Sequence, residues 1–205
     1  MIIHQKKAEM TPKQIERIQI KIKKFRAALT AEKRKYGWIN DDRGLRYAIP
    51  ELYLKIVDYK GGMTYFRWFN KNFPNDCGMP NFLLEWTITL FKYGKLKDAE
   101  KKAYKTFFSN IYIFDIFFER EIIKLNVSEF SNLSSIEFAN YLSYTCKQEN
   151  LKDFAEWLQN IENSEKFQAV KKSFIDLNIK LNSENRHEKR IEILEQIKKI
   201  ETEYD

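Results

Sequence analysis

Turn-forming and cross-linking residues are scarce in this chain of 205 residues: six glycines, four prolines and two cysteines. So little Gly and Pro disfavours the turn-dense sandwiches and barrels of all-β proteins. Cys77 and Cys146 stand 69 positions apart without a ligand pair near either, so neither a zinc spacing nor a disulfide framework is suggested. Histidine is limited to His4, close to one end, and His187, inside a highly charged stretch; neither looks placed for chemistry. Long apolar runs are missing too. The greasiest segment, Ile111 to Phe118, is interrupted by Asp115, and the first residues, Met1 to Lys7, lack the apolar core of a secretory signal. These absences point to a cytoplasmic protein with no membrane span, no bound metal and no cofactor.

Aromatic residues, by contrast, are abundant, with 16 Phe, 11 Tyr and 4 Trp, and 43% of the chain is apolar. That is enough to bury one sizeable core. The formal net charge of +7 is unevenly placed: residues 1–36 carry 11 Lys/Arg against 3 Glu, leaving about −1 for the remainder.

Helical periodicity runs through most of the chain. After a flexible N-terminus over 1–10, Thr11-Pro12-Lys13-Gln14 combines an N-cap hydroxyl, a proline at the first helical position and a Gln three residues after the cap. The helix that starts there should run to Tyr36 and stop at Gly37. Ile15, Ile18, Ile22, Phe25 and Leu29 draw one apolar stripe along it, while Lys13, Arg17, Lys21 and Lys24 draw a basic one. Further helices are expected over 43–56, from the turn Val57-Asp58-Tyr59 through Phe73, 81–92, 96–108, 111–123, 134 or 135 to 147, 150–161, 165–181 and 184–203. The aromatic stretch at Phe107-Phe108 and Ile111–Phe118 is expected in the core, since burying one Phe is worth about 1.5–3 kcal/mol. Asp41-Asp42 and Asp58 suit caps and turns better than acid–base chemistry.

Two segments repeat one layout 37 residues apart: Leu52 through Pro74, and Leu90 through Ala103. The spaced positions hold Arg46, Ile49, Pro50, Tyr53, Gly62, Phe66 and Pro74 in the first copy, and Leu83, Trp86, Thr87, Leu90, Ala99, Ala103 and Ile111 in the second. This pattern resembles the tetratricopeptide-repeat family over roughly residues 43–111, as repeats at 43–76 and 81–111. The resemblance implies an all-α, single-domain chain over 1–205: a short solenoid of stacked helix hairpins, capped by the basic helix 11–36 and by further helices over 112–205. Small Gly62 and Ala99 would let paired helices approach closely. Pro50 stands where the pattern asks for a small residue, and should kink the first helix or mark its start.

In that family partners lie on the concave surface of the first helix of each pair. The corresponding positions are Tyr47, Glu51, Leu54 and Lys55 in the first copy, and Asn81, Leu84, Glu85, Ile88, Phe91 and Lys92 in the second. The expected function is therefore a non-catalytic module that binds a protein or peptide. In a short array the C-terminal helices could instead fill this groove. A second reading is a nucleic-acid-associated factor using the basic stripe of the first helix, with Lys33-Arg34-Lys35-Tyr36 adding cations beside an aromatic. A solvated helix face explains the same stripe without a ligand. A third is a toxin-neutralising immunity or antitoxin protein.

Overall fold

The computed structural model describes residues 10–128 and 131–204. His4 and nearly all of the expected flexible N-terminus lie outside the described residues. The described residues form ten α-helices and no strand. They are α1 (Pro12–Tyr36), α2 (Leu45–Lys55), α3 (Tyr59–Asn72), α4 (Pro80–Lys92), α5 (Leu96–Ser109), α6 (Ile113–Phe117), α7 (Ile136–Ala139), α8 (Lys152–Asn163), α9 (Glu165–Ser183) and α10 (His187–Tyr204). Where the sequence suggests one domain, the chain divides into two compact units at Asp76 and Cys77. The boundary falls in the irregular stretch after Pro74, between the two repeat-like segments.

In the first unit α1 packs on α2, and α2 on α3. Ile22 and Leu29 of α1, Ile49, Leu52 and Tyr53 of α2, and Tyr65, Phe66 and Phe69 of α3 are all buried. Asp41 and Asp58 meet amides at helix starts, while Asp42 accepts from the Asn40 side chain. Asp41 accepts from the Leu45 and Arg46 amides at 2.7 and 2.9 Å, and Asp58 accepts from the Gly61 amide at 2.8 Å. A Cβ on Gly61 would sit 2.3 Å from the Asp58 carboxylate and 2.5 Å from the Tyr53 ring. Gly61 thus stands in close approach to Tyr53 of α2, beside Gly62, which the repeat pattern singles out and which is itself buried.

Pro50 neither starts α2 nor breaks it; it sits buried in the helix interior. A proline there has no N–H to give the carbonyl four residues earlier, that of Arg46. The Tyr65 hydroxyl of α3 donates to the Arg46 carbonyl at 2.7 Å instead. An aromatic side chain from the next helix thus replaces the missing backbone donor.

In the second unit α4 and α5 make the most extensive helix pair. Ala99 and Ala103 are fully buried there, and the Thr87 and Thr106 hydroxyls lie 3.1 Å apart, each also within hydrogen-bond reach of a carbonyl one turn back in its own helix, so that one hydroxyl can donate to its carbonyl and accept from the other. α10 packs on α9 and α5, and α8 on α9 and α4. The aromatic stretch is core in part: Phe107, Tyr112, Ile113, Phe114 and Phe117 are each at most 2% exposed, while Phe108, Ile111, Ile116 and Phe118 are half-buried.

Residues 111–147 depart from the expected helices. The helix anticipated over 111–123 is reduced to α6, which ends where Glu119 takes a left-handed φ of 54°. The one anticipated up to 147 is reduced to α7, still started by Ser135, which accepts from the Phe138 amide. Side chains satisfy the backbone that helix leaves unpaired. Asn110 donates to the Leu133 and Ser135 carbonyls at 2.8 Å and accepts from the Tyr112 amide, and the Tyr112 hydroxyl accepts from the Leu125 amide.

The Tyr65 device is testable by a double-mutant cycle in urea denaturation. Tyr65→Phe strands the Arg46 carbonyl and is expected to cost about 1–3 kcal/mol. The same change is expected to cost clearly less in a Pro50→Ala background, where the amide returns; equal costs in both backgrounds would refute the coupling.

Candidate functional site

α1 is built by strong local signals. The Thr11 hydroxyl accepts from the Gln14 amide at 3.3 Å, the Gln14 side chain accepts from the Thr11 amide at 2.8 Å, and Pro12 takes the first helical position. Gly37 closes the helix in a left-handed conformation, φ 80°, its amide donating to the Lys33 carbonyl. At 100° per residue, the packed stripe centred on Ile22 and Leu29 lies about 120° round the cylinder from Lys13, Arg17, Lys21 and Lys24. All four basic side chains are exposed, as are Lys23, Lys33, Arg34 and Lys35.

Helix stability does not account for this stripe. The first turn of α1 has no acidic residue and holds Lys13, the wrong sign for the positive end of a helix dipole. Lys13, Arg17, Lys21 and Lys24 also follow one another at spacings of four, four and three, and each such like-charged pair costs about 0.2–0.5 kcal/mol. An anion lying along the face would relieve both penalties.

The positions expected to line a concave groove fare differently. Tyr47 is half-buried, its hydroxyl 2.7 Å from the Asp76 carboxylate and accepting from Arg46. Burial first, and the Asp76 carboxylate second, push its pKa up to about 12. The Arg46 guanidinium lies 4.3 Å over the Tyr47 ring, 2.9 Å from Asp76 and 3.1 Å from Asp41, so this cluster ties the ends of α2 and α3 together. Glu51 and Lys55 pair with each other at 2.6 Å one turn apart.

Leu54, Leu84, Glu85 and Ile88 are at most 6% exposed, so these four cannot line an open surface here. Phe91 packs against Phe154 and Trp157 of α8, with ring centroids 5.6 and 5.0 Å apart, and Lys92 pairs with Asp153. The Asn81 carbonyl accepts from Tyr144. In the second copy, then, the C-terminal helices cover the expected groove. Of the ten positions only Lys55, paired with Glu51, is exposed.

One constellation had no sequence signal. Arg120 donates to both carboxylate oxygens of Glu162 at 3.2 and 2.9 Å, and to Asp115 at 3.2 Å, with its guanidinium 4.2 Å over the Phe118 ring. Glu162 is 3% exposed. A separation of 42 residues hides this pairing from any local pattern. It anchors the non-helical segment after α6 to α8.

His187 is exposed at the start of α10, Cys77 is exposed and Cys146 half-buried. Among the described residues no group of His, Cys, Asp and Glu gathers at metal-ligand spacing, and no helix is long and apolar enough to cross a membrane. Comparisons with protein-family models, with curated proteins and with solved structures find no match to the chain.

Two outcomes follow from these geometries. A tyrosine whose folded pKa lies above its unfolded value of about 10 adds stability that is complete below pH 10 and lost as pH rises towards 12. Tyr47→Phe is therefore expected to flatten part of the alkaline loss of stability between about pH 10 and 12; an unchanged alkaline profile would argue that the hydroxyl is solvated. Arg120→Ala is expected to destabilise by about 1–3 kcal/mol through the buried carboxylate it strands, with Glu162→Gln recovering part of that loss in the double variant.

Proposed function

We propose that this protein is a binding module without chemistry of its own, and that it holds an anionic macromolecular partner on the basic face of α1. The observation that carries the reading is the row Lys13, Arg17, Lys21 and Lys24, exposed on a helix whose other side is packed. Its like-charge repulsion makes it costly to the free protein and favourable to a complex. The tetratricopeptide-like pattern at 43–111 supports a binding role in general. A peptide in the first-helix groove is the weaker version, because Leu54, Leu84, Glu85 and Ile88 are buried and Phe91 is covered by α8.

Heparin, a polyanion without bases, tests the surface. Reversing Lys13, Arg17, Lys21 and Lys24 together to Glu is expected to lower the salt concentration at which the protein leaves heparin far more than reversing exposed Lys172, Lys189, Lys198 and Lys199. The α1 variant should remain folded, since glutamate at a helix N-terminus is stabilising. Equal shifts in the two variants would mean that net charge alone, and no particular face, governs binding.

A further inference from the structure

We propose that the exposed rings of Tyr36 and Trp38, at the C-terminal end of α1, form a base-stacking site that acts together with the basic row of α1 in binding single-stranded nucleic acid. The inference rests on α1 being the binding surface and names the partner for it. Tyr36 is 56% exposed and Trp38 60% exposed. Tryptophan is ordinarily largely withdrawn from water, and the other three in this chain, Trp68, Trp86 and Trp157, are buried or half-buried. Trp38 therefore stands out as a large ring left in solvent.

Its surroundings are cationic. Lys33, Arg34 and Lys35 precede it, all exposed; Lys33 donates to the Asn72 side chain at 2.5 Å, the Lys35 ammonium lies 4.8 Å over the Tyr36 ring, and by helical phase Lys35 falls in line with Lys13, Arg17, Lys21 and Lys24 while Tyr36 lies about 100° round from them. Gly37, in its left-handed conformation, takes the chain off the helical path between the two rings. Cations beside exposed aromatic faces are the two components of sequence-tolerant single-strand binding: charge follows the phosphates, and rings stack on unpaired bases.

The dimensions agree. Lys13, Arg17 and Lys21 rise about 6 Å from one to the next, and Lys13 to Lys35 spans about 33 Å, room for a run of several nucleotides. A duplex keeps its base faces stacked on one another and has no use for Tyr36 and Trp38. An acidic protein would satisfy the lysines and likewise leave both rings without a partner of matching chemistry.

The test is fluorescence anisotropy with a labelled oligouridylate, the matching RNA duplex and labelled heparin. The single strand is expected to bind more tightly than the duplex. Trp38→Ala should weaken it about fivefold or more, Trp38→Phe should restore most of the affinity, and Tyr36→Ala should weaken it in the same sense. Heparin binding should be indifferent to all three, because heparin has no ring to stack. Reversal of the four basic residues should weaken both ligands and lower the salt slope for the single strand by about 3.

If the charge reversal abolishes binding while Trp38→Ala changes nothing, or if the duplex binds as well as the single strand, the stacking site is wrong and the binding face stands. If the charge reversal leaves heparin and oligouridylate binding unchanged, or if neither is bound, the binding face is wrong and the stacking site falls with it.

Discussion

The rotational phase of α1 is the constraint on which the rest of the first unit turns. An amphipathic helix has one low-energy way to sit, with its apolar stripe against its neighbours. Once Ile22 and Leu29 are buried, nothing is left to choose about Lys13, Arg17, Lys21 and Lys24: they must face water. Burial of two large aliphatic side chains is worth about 3–6 kcal/mol. The like-charge repulsion along the basic stripe amounts to about 1 kcal/mol. Packing wins by a clear margin, so the fold can carry a strained cationic face without yielding to it.

A second requirement, that buried backbone groups find partners, shapes the places where regular helix fails. Pro50 removes one donor from α2, and Tyr65 supplies another from α3. After α5 the chain leaves the helix, and Asn110 and Tyr112 take up carbonyls and amides that a continuing helix would have paired. Arg120 holds Glu162 with two hydrogen bonds, compensating a carboxylate that would be costly to bury alone. These side chains are polar or amphipathic, and each closes a specific gap. They make the irregular stretch as determined in structure as the helices on either side of it.

That difference explains what the sequence disclosed. α1, α2, α3, α4, α5, α8, α9 and α10 are legible to within two or three residues because their signals are local: a capping box at Thr11, a left-handed stop at Gly37, and apolar stripes at spacings of three and four. Residues 111–147 were not legible, because an apolar run such as Ile111–Phe118 is equally compatible with a long helix and with a short one that ends in extended chain. What decided between them were partners 13 to 42 residues away in the sequence. The covering of the expected groove in the second copy is hidden from the sequence for a related reason. Periodicity shows which residues of α4 share a face, but Phe91 and Lys92 met Phe154, Trp157 and Asp153 of α8, and no spacing within α4 announces α8.

The same distinction bears on where a binding surface can be sought. A position needed by the core is doubly constrained, since changing it for the sake of a ligand also changes packing. Leu84, Glu85 and Ile88 are of this kind. The outward positions of α1 are less so: the Lys21 ammonium lies 5.4 Å over the Phe25 ring, but no contact shown among the described residues depends on the sign of Lys13, Arg17 or Lys24, and helix formation would favour acid near Thr11. A surface whose residues are unnecessary to the fold, and mildly harmful to it, is better explained by something outside the chain than one whose residues the fold already requires. That asymmetry, rather than net charge, is the reason to assign binding to α1.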